Sequence, residues 1–104
     1  MIKLSICVIA YNEEKFLPGL LQNIKAQNYP HQLIEVVLVD GMSVDGTKEL
    51  MNKFSEDCKD FYSIQVLDNP KKIQAAGWNV AITHATGDVI SRIDAHAVLP
   101  EDFS

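Results

Sequence analysis

The sequence lacks long apolar stretches and lacks clusters of basic residues. No apolar run approaches the ~20 residues that a membrane-spanning helix requires, so no spanning segment is expected. Its 9 Lys and Arg residues are outnumbered by 14 Asp and Glu residues, the net charge is −5, and no basic run exceeds the pair Lys71-Lys72. Proteins that bind nucleic acid usually carry a basic surface. The composition therefore argues against nucleic acid as a partner.

Cysteine is scarce, and no signal peptide is expected from the first residues. Cys7 and Cys58 lie far apart without the spacing of a metal site, and Cys7 falls within an apolar run that predicts a buried thiol. The amino terminus, Met1 to Leu4, leads into that run and lacks the layout of a secretory leader. These features predict a reducing, cytoplasmic location. The 104 residues suffice for one globular domain, which we assign to residues 1–104.

Four apolar runs alternate with three amphipathic segments. The runs predict strands over residues 4–10, 34–39, 62–67 and 89–93, of which the first two are apolar enough to be buried on both faces. The segments between them predict helices that begin near Pro18, after the turn at residues 41–47, and at Pro70. The order β-α-β-α-β-α-β with short connections predicts an α/β fold with a mostly parallel sheet and right-handed crossovers.

The helix patterns also predict local details. Ser43 and Asp45 are candidate amino-terminal caps of the second helix, which we expect to run to about Phe54. The third helix should begin with Asn69 as its cap and Pro70 as its first residue. Gly87 should follow the end of this helix in a left-handed conformation. The inward face of the helix is predicted to hold Ile73, Ala76 or Gly77, Val80 and His84.

Polar residues follow three of the predicted strands. Tyr11 to Glu13 come after the first strand, Asp40 follows the second, and Asp94 and His96 follow the fourth. In open α/β sheets, ligands bind outside the carboxyl ends of the strands, so these residues are expected to converge on one site. Asp94 and His96 are two residues apart in extended chain and would point to the same side. A carboxylate and an imidazole placed in this way could share one Mn²⁺ or Mg²⁺ ion.

Each of these residues also has a simpler structural explanation. Asp40 can cap the loop that follows it, and Glu13 and Glu14 can favour a helix amino terminus electrostatically. Asn79 can be an exposed helix residue, and Asp-x-His by itself is a weak metal signature. The convergence of three polar clusters on one sheet edge is what favours a binding site.

Three motifs together resemble a known family. They are Val8-Ile9-Ala10-Tyr11-Asn12-Glu13-Glu14, Val39-Asp40-Gly41-Met42-Ser43-Val44-Asp45-Gly46-Thr47 and Asp94-Ala95-His96. In their order and spacing they resemble the N-terminal part of the family 2 glycosyltransferases, and the segment from Asn69 to Asn79 is similar to the family's third-helix region. The Asp-Ala-His variant looks most like the branch that includes succinoglycan-type exopolysaccharide glycosyltransferases.

The resemblance implies a three-layer, Rossmann-like GT-A fold, of which the sequence would be the nucleotide-binding half. It implies that the chain binds a nucleotide-diphospho-sugar, and the residues that would do so are Ala10, Tyr11, Asn12, Glu13, Asp40 and Asn79. Asp40 would accept a hydrogen bond from a base N–H, a contact that suits the uracil of a UDP-sugar. Asp94 and His96 would hold a divalent metal at the diphosphate. The acceptor would be a polysaccharide or a lipid-linked glycan.

The sequence departs from the family pattern at two positions. Gly41 replaces the second of two adjacent aspartates, so base recognition would rest on Asp40. His96 replaces an aspartate, which exchanges an anionic oxygen ligand for a neutral nitrogen and favours Mn²⁺ over Mg²⁺. The family's general base lies well after the metal motif and is therefore expected beyond Ser104. We accordingly expect a truncated donor-binding part of a larger enzyme, inactive alone.

Other functional classes remain open. A non-catalytic nucleotide-binding module could use the same sheet edge without transferring a sugar. A dinucleotide dehydrogenase is disfavoured because no G-x-G-x-x-G motif follows the first strand, and a response-regulator-like switch would need a C-terminal lysine strand that the sequence lacks. A domain cut after the metal motif would leave a strand edge uncovered, which predicts self-association. Association of the full-length protein with the cytoplasmic face of a membrane is a further open alternative.

Overall fold

The computed structural model describes residues 2–26, 29–58, 60–70 and 74–94, and of residues 74, 75, 93 and 94 it describes the backbone. The described chain alternates strands and helices in the predicted order. The elements are β1 (Leu4–Ala10), α1 (Leu17–Lys25), a short 3-10 helix (His31–Leu33), β2 (Ile34–Asp40), α2 (Thr47–Asp57), β3 (Ser63–Asp68), α3 (Gln74–His84) and β4 (Val89–Asp94).

The four strands form one parallel sheet in the order β3-β2-β1-β4. β1 therefore lies between β2 and β4. Helices α1 and α2 cover one face of the sheet, and α3 covers the other. The result is the predicted three-layer α/β arrangement, in which the polar strand ends meet at one edge. None of the helices that the structure describes is long and apolar enough to cross a membrane.

The core is divided by the sheet because successive side chains of a strand point to opposite faces. Ile6 and Val8 of β1 pack with the buried faces of α1 and α2, whereas Cys7 packs with Ala81 on the side of α3. Cys7 is fully buried, which confirms the prediction made for this residue. Burial, together with the nearby charge of Glu35, raises the pKa of the Cys7 thiol to about 11.

Several predicted boundaries were wrong by a few residues. Helix α1 begins at Leu17 with Pro18 in its first turn, which confirms the start predicted near Pro18, whereas α2 continues past Phe54 to Asp57. Helix α3 runs from Gln74 to His84 in the described chain, Pro70 lies in a turn and not in the helix, and residues 71–73 lie outside the described part. Strands β2 and β4 each extend one residue further, to Asp40 and Asp94, and β3 runs one residue later than predicted, so three strands end on an aspartate.

The predicted inward face of α3 was also partly wrong. Gly77 and Ala81 are buried, whereas His84 is exposed and its ring nitrogen Nδ1 contacts the carbonyl of Val80 at 2.9 Å. A Cβ atom at residue 77 would lie only 3.3 Å from Cγ2 of Ile9. The missing side chain of Gly77 thus lets α3 lie close on the sheet.

Gly87 does not have the role that the sequence predicted. Among the described residues no glycine has a positive φ, so Gly87 is not a left-handed helix cap. Instead a Cβ atom at this position would lie 2.4 Å from Oγ of Ser5 and 2.8 Å from its backbone nitrogen. Gly87 is therefore required by the close approach of the α3–β4 loop to β1.

Candidate functional site

The carboxyl ends of β1, β2 and β4 lie side by side at one edge of the sheet. Ala10 is paired with Asp40 on β2, and Ile9 is paired with Asp94 on β4. Since neighbouring strands lie about 4.8 Å apart, the backbones of Asp40 and Asp94 are separated by about two strand spacings. The structure thus brings the first, second and fourth strand ends together, as predicted. What each residue binds stays a prediction.

Asp40 is a buried carboxylate at the centre of this edge. Its residue is 3% exposed, and both oxygens face the backbone N–H of Ser43, at 3.1 and 3.3 Å. Its carbonyl accepts a hydrogen bond from the N–H of Asn69 at 2.8 Å. The alternative that Asp40 caps the following loop is therefore observed. Because an ionised carboxylate offers about four acceptor positions, this cap is compatible with a further donor from a ligand.

The loop after β1 is fastened to the loop after β2 through three successive amides. The backbone N–H groups of Asn12, Glu13 and Glu14 donate to the side chains of Ser43, Thr47 and Asp45, respectively, at 2.8, 2.9 and 3.3 Å. These amides are directed at the protein's own oxygens. They are therefore not arranged as an anion-binding nest for a diphosphate.

Asn12 adds a fourth bond between the two loops. Its side-chain Oδ1 accepts the N–H of Val44 at 2.9 Å, and its backbone is left-handed with φ 52°. Met42, in the facing loop, is left-handed as well, with φ 66°. Asparagine tolerates this conformation better than most residues. The predicted nucleotide contact of Asn12 is untested, but its side-chain carbonyl is already bonded within the protein.

The amino terminus of α2 is occupied by two of the chain's own acidic residues. Asp45 Oδ1 accepts bonds from the backbone N–H of Thr47 at 2.9 Å and from its hydroxyl at 2.5 Å, and the Thr47 hydroxyl lowers the pKa of Asp45. Glu14 lies so close to Gly46 that a Cβ atom there would be 2.4 Å from Oε2. Asp45 thus bonds to the first residue of α2, but the cap residue itself is Gly46. Neither predicted cap, Ser43 or Asp45, therefore occupies the cap position, and the hydroxyl of Ser43 bonds to Asn12 instead. The two carboxylates at this helix terminus disfavour an anion such as phosphate there.

One polar pair at this edge was missed by the sequence analysis. Asp68 ends β3 opposite Asp40, and its carboxylate forms an ion pair with Lys48 in the first turn of α2. The signal was present, because Asp68 is an acidic residue directly after an apolar run, as Asp40 is. The pair means that the positive charge of Lys48 is already balanced by a carboxylate of the protein.

The other predicted nucleotide contacts occupy varied positions. Ala10 is buried, Tyr11 is 46% exposed, Glu13 is half-buried and Asn79 is exposed. A Cβ atom at Gly41 would lie 3.3 Å from Cβ of Tyr11, so the small residue there leaves room for the tyrosine. Asn79 lines a cavity of about 270 Å³, whose other lining residues are Asn69, Pro70, Ala76 and Val80. Asn79 is therefore an exposed helix residue, which was the alternative to a nucleotide contact, and it also borders this cavity.

The predicted metal ligands are only partly within the described chain. Asp94 is described by its backbone, at the end of β4, and His96 lies outside the described residues. Within the described part, no group of three or more His, Cys, Asp or Glu side chains is arranged to hold a metal ion. Oxygen and imidazole donors suit Mn²⁺ by their chemistry. The position of Asp94 at the shared strand edge is compatible with the metal site predicted from the sequence.

Comparison with known sequences identifies relatives along nearly the whole chain. The family model described as glycosyl transferase family 2 matches residues 5–104. The succinoglycan biosynthesis protein ExoA of Rhizobium meliloti (strain 1021) is 35% identical over 101 residues, which cover 94% of this chain and 29% of that protein. Dolichyl N-acetyl-alpha-D-glucosaminyl phosphate 3-beta-D-2,3-diacetamido-2,3-dideoxy-beta-D-glucuronosyltransferase of Methanococcus voltae is 32% identical over 100 residues, covering 96% of this chain and 31% of that protein. The chain therefore spans about a third of the length of these relatives.

Solved structures show the same fold. The mannosyltransferase PcManGT from Pyrobaculum calidifontis, in complex with GDP-Man and Mn²⁺, superposes with a TM-score of 0.87 at 32% identity, covering 95% of this chain and 29% of that one. TarS residues 1–349 of Staphylococcus aureus superpose with a TM-score of 0.85 at 26% identity, covering 96% of this chain and 29% of that one. A structure of the same TarS region in complex with UDP-GlcNAc superposes with a TM-score of 0.79 at 25% identity, covering 96% of this chain and 28% of that one.

Proposed function

Because this chain belongs to glycosyl transferase family 2 and has the α/β Rossmann-like fold of GT-A glycosyltransferases, we propose that it binds a UDP-sugar and a divalent metal. It would do so as the donor-binding part of an enzyme that transfers the sugar to a polysaccharide or lipid-linked acceptor. The similarity to ExoA supports a role in exopolysaccharide synthesis. A cytoplasmic location is part of the same proposal.

The observation that carries the proposal is the buried carboxylate of Asp40 at the shared strand edge. An ionised carboxylate only accepts hydrogen bonds, and uracil presents a donor at N3. Cytosine presents a lone pair at the same position, so an ionised Asp40 would repel it. A site built around a hydrogen-bonding group strongly rejects an analogue that leaves that group unpaired. We therefore expect UDP to bind more tightly than CDP.

The diphosphate requires positive charge, and the donors and the cation described above at this edge are already engaged within the protein. The amides of residues 12–14 donate to protein oxygens, the amino terminus of α2 is covered by Asp45 and Glu14, and Lys48 is paired with Asp68. We assign the balancing charge to Mn²⁺ or Mg²⁺ held by Asp94 and His96. Such a metal, when bound, acts as a Lewis acid on the leaving diphosphate. The general base for the acceptor hydroxyl is expected beyond Ser104.

Calorimetry with UDP tests the assignment. UDP should bind more tightly with Mn²⁺ than without, and Asp94→Ala should remove most of that difference. Asp40→Ala should weaken UDP and uridine alike, by about tenfold or more, because hydrogen bonds to charged groups contribute about 1.5–3 kcal/mol. Asp57→Ala, at the far end of α2, is the matched control and should change neither affinity. If the affinity for UDP is unchanged by Mn²⁺ and by both site substitutions, the site is wrongly placed.

Asp40→Asn gives a sharper test of the base contact. The N–H of Ser43 faces the side-chain oxygens of Asp40, so an asparagine would turn its own oxygen to that N–H and its NH₂ group to the ligand. A donor in this position favours the N3 lone pair of cytosine. We expect the preference for UDP over CDP to fall or reverse. An unchanged preference would argue that Asp40 does not contact the base.

Self-association and membrane association stay predictions.

A further inference from the structure

We propose that Ser43 is a positioning residue that sets nucleobase selectivity. It would do so by fixing the orientation of the Asp40 carboxylate relative to the loop after β1. The inference rests on the proposed function, because it concerns the orientation of the carboxylate that would select the base. Ser43 itself is not proposed to touch the ligand.

Ser43 is bonded on both of its sides. Its backbone N–H donates to the carboxylate of Asp40, at 3.1 Å to one oxygen and 3.3 Å to the other. Its hydroxyl Oγ accepts the backbone N–H of Asn12 at 2.8 Å. A single residue therefore connects the carboxylate on β2 to the loop that follows β1. These are the two segments between which a base at this edge would lie.

The backbone around Ser43 makes this connection dependent on its side chain. Met42 is left-handed, with φ 66°, and Asn12 in the facing loop is left-handed as well, with φ 52°. Such conformations cost energy in residues other than glycine and persist only where surrounding bonds hold them. The bonds that join these two strained segments include the one to the hydroxyl of Ser43 and the one to Oδ1 of Asn12, which accepts the N–H of Val44 at 2.9 Å. The N–H of Gly41 also donates to the carbonyl of Ala10 at 2.8 Å, but this backbone bond lies on the other side of Met42 from Ser43.

Loss of the Ser43 hydroxyl should therefore loosen the carboxylate without removing it. The N–H of Asn12 would lose its acceptor, residues 42–44 could shift, and the N–H that faces Asp40 would shift with them. A carboxylate that is not held in one orientation discriminates poorly between a donor and a lone pair at N3 of a pyrimidine. The effect should therefore appear in the preference for UDP over CDP, and less in affinity as such.

The experiment compares UDP and CDP affinities in Mn²⁺ for the unchanged chain, Ser43→Ala, Asp40→Ala and Ser63→Ala. Ser63→Ala is the matched control, because its hydroxyl bonds to Glu35 at the opposite end of the sheet. We expect Ser43→Ala to reduce the UDP-to-CDP preference by about three- to tenfold, the equivalent of one lost hydrogen bond. Ser63→Ala also loses one hydrogen bond, so it should lower the free energy of unfolding measured in urea and leave the UDP-to-CDP preference unchanged. Ser43→Gly deletes the same hydroxyl and replaces Ser43→Ala if that variant fails to fold.

The outcomes separate this inference from the proposed function. If Ser43→Ala weakens UDP and CDP by the same factor, or changes neither while Asp40→Ala removes the preference, Ser43 has no role in selectivity and the base contact of Asp40 stands. If Asp40→Ala leaves the preference unchanged, the proposed base contact fails, and the role of Ser43 fails with it. A reduced preference in both Ser43→Ala and Asp40→Ala, with Ser63→Ala unaffected, supports both.

Discussion

The hydroxyl oxygen of Ser5 accepts the backbone N–H of Gly87 at 2.8 Å, across 82 residues of sequence. The same hydroxyl donates to Oε1 of Glu35 at 2.8 Å. This contact brings the loop before β4 directly against β1, and no side chain larger than hydrogen fits at position 87. The pairing of β4 with β1, and hence the placement of Asp94 at the shared edge, depends on this close approach.

Gly87→Ala should destabilise the fold. The added Cβ atom would lie 2.4 Å from Oγ and 2.8 Å from N of Ser5, and the backbone nitrogen cannot move aside without disturbing β1. Overpacking of this kind costs about 1–3 kcal/mol of unfolding free energy. Gly19→Ala is the matched control, since nothing lies within 4 Å of a Cβ atom there and the residue is helical. That change should stabilise by about 0.5–1 kcal/mol, and urea denaturation of both variants measures the difference. Equal effects would contradict the close approach at residue 87.

The end of the sheet opposite the candidate site contains a buried carboxylate with several donors. Glu35 is 2% exposed and accepts bonds from the hydroxyls of Ser5 and Ser63 and from both the N–H and the hydroxyl of Thr86. Burial acts to raise the pKa of Glu35, but the hydrogen bonds, led by the N–H of Thr86, outweigh it and the net pKa is lowered. Folding therefore favours the ionised form.

Glu35→Gln should make stability less dependent on pH in the acid range. The pKa of Glu35 in the folded chain is below its ordinary value of 4.5. The stabilisation of the fold by the ionised carboxylate is therefore complete above pH 4.5 and is lost as the pH falls through the folded pKa. At about pH 7 the variant should be less stable by about 1–3 kcal/mol, and the gap should narrow at about pH 3. Urea denaturation at both pH values measures this. A gap that stays constant would show that ionisation of Glu35 does not stabilise the fold.

Substitutions of Asn12 should rank by backbone strain and by loss of the bond to Val44. Asn12→Asp keeps an acceptor for the N–H of Val44 and tolerates φ 52°, so its free energy of unfolding should be close to that of the unchanged chain. Asn12→Gly removes the acceptor without strain. Asn12→Ala removes the acceptor and adds about 1 kcal/mol or more for a left-handed non-glycine residue. Thermal or urea unfolding should therefore place alanine below glycine and glycine below aspartate. An alanine variant as stable as the glycine variant would contradict the strained backbone.

The sequence by itself determined the elements and their order. Continuous apolar runs such as Leu4–Ala10 predict strands buried on both faces, and their alternation with amphipathic segments predicts a parallel sheet. Because ligand sites of such sheets lie at the carboxyl ends of strands, the sequence also indicated that Tyr11, Asp40 and Asp94 would share one edge. These features depend on hydrophobic periodicity, which is local and can be read within a dozen residues.

Only the tertiary structure decided the features that depend on contacts between distant residues. Ser43 looked like a helix cap in the sequence, but its hydroxyl accepts a bond from Asn12, 31 residues away. Gly87 looked like a left-handed cap, and Ser5 on β1 is what requires it. The close approach of Gly77 to Ile9, on the inward face of α3, likewise joins residues that are far apart in the sequence. Local propensity leaves such choices open, because capping, turn and close-contact roles favour the same small and polar residues, and only the packing of remote segments selects among them.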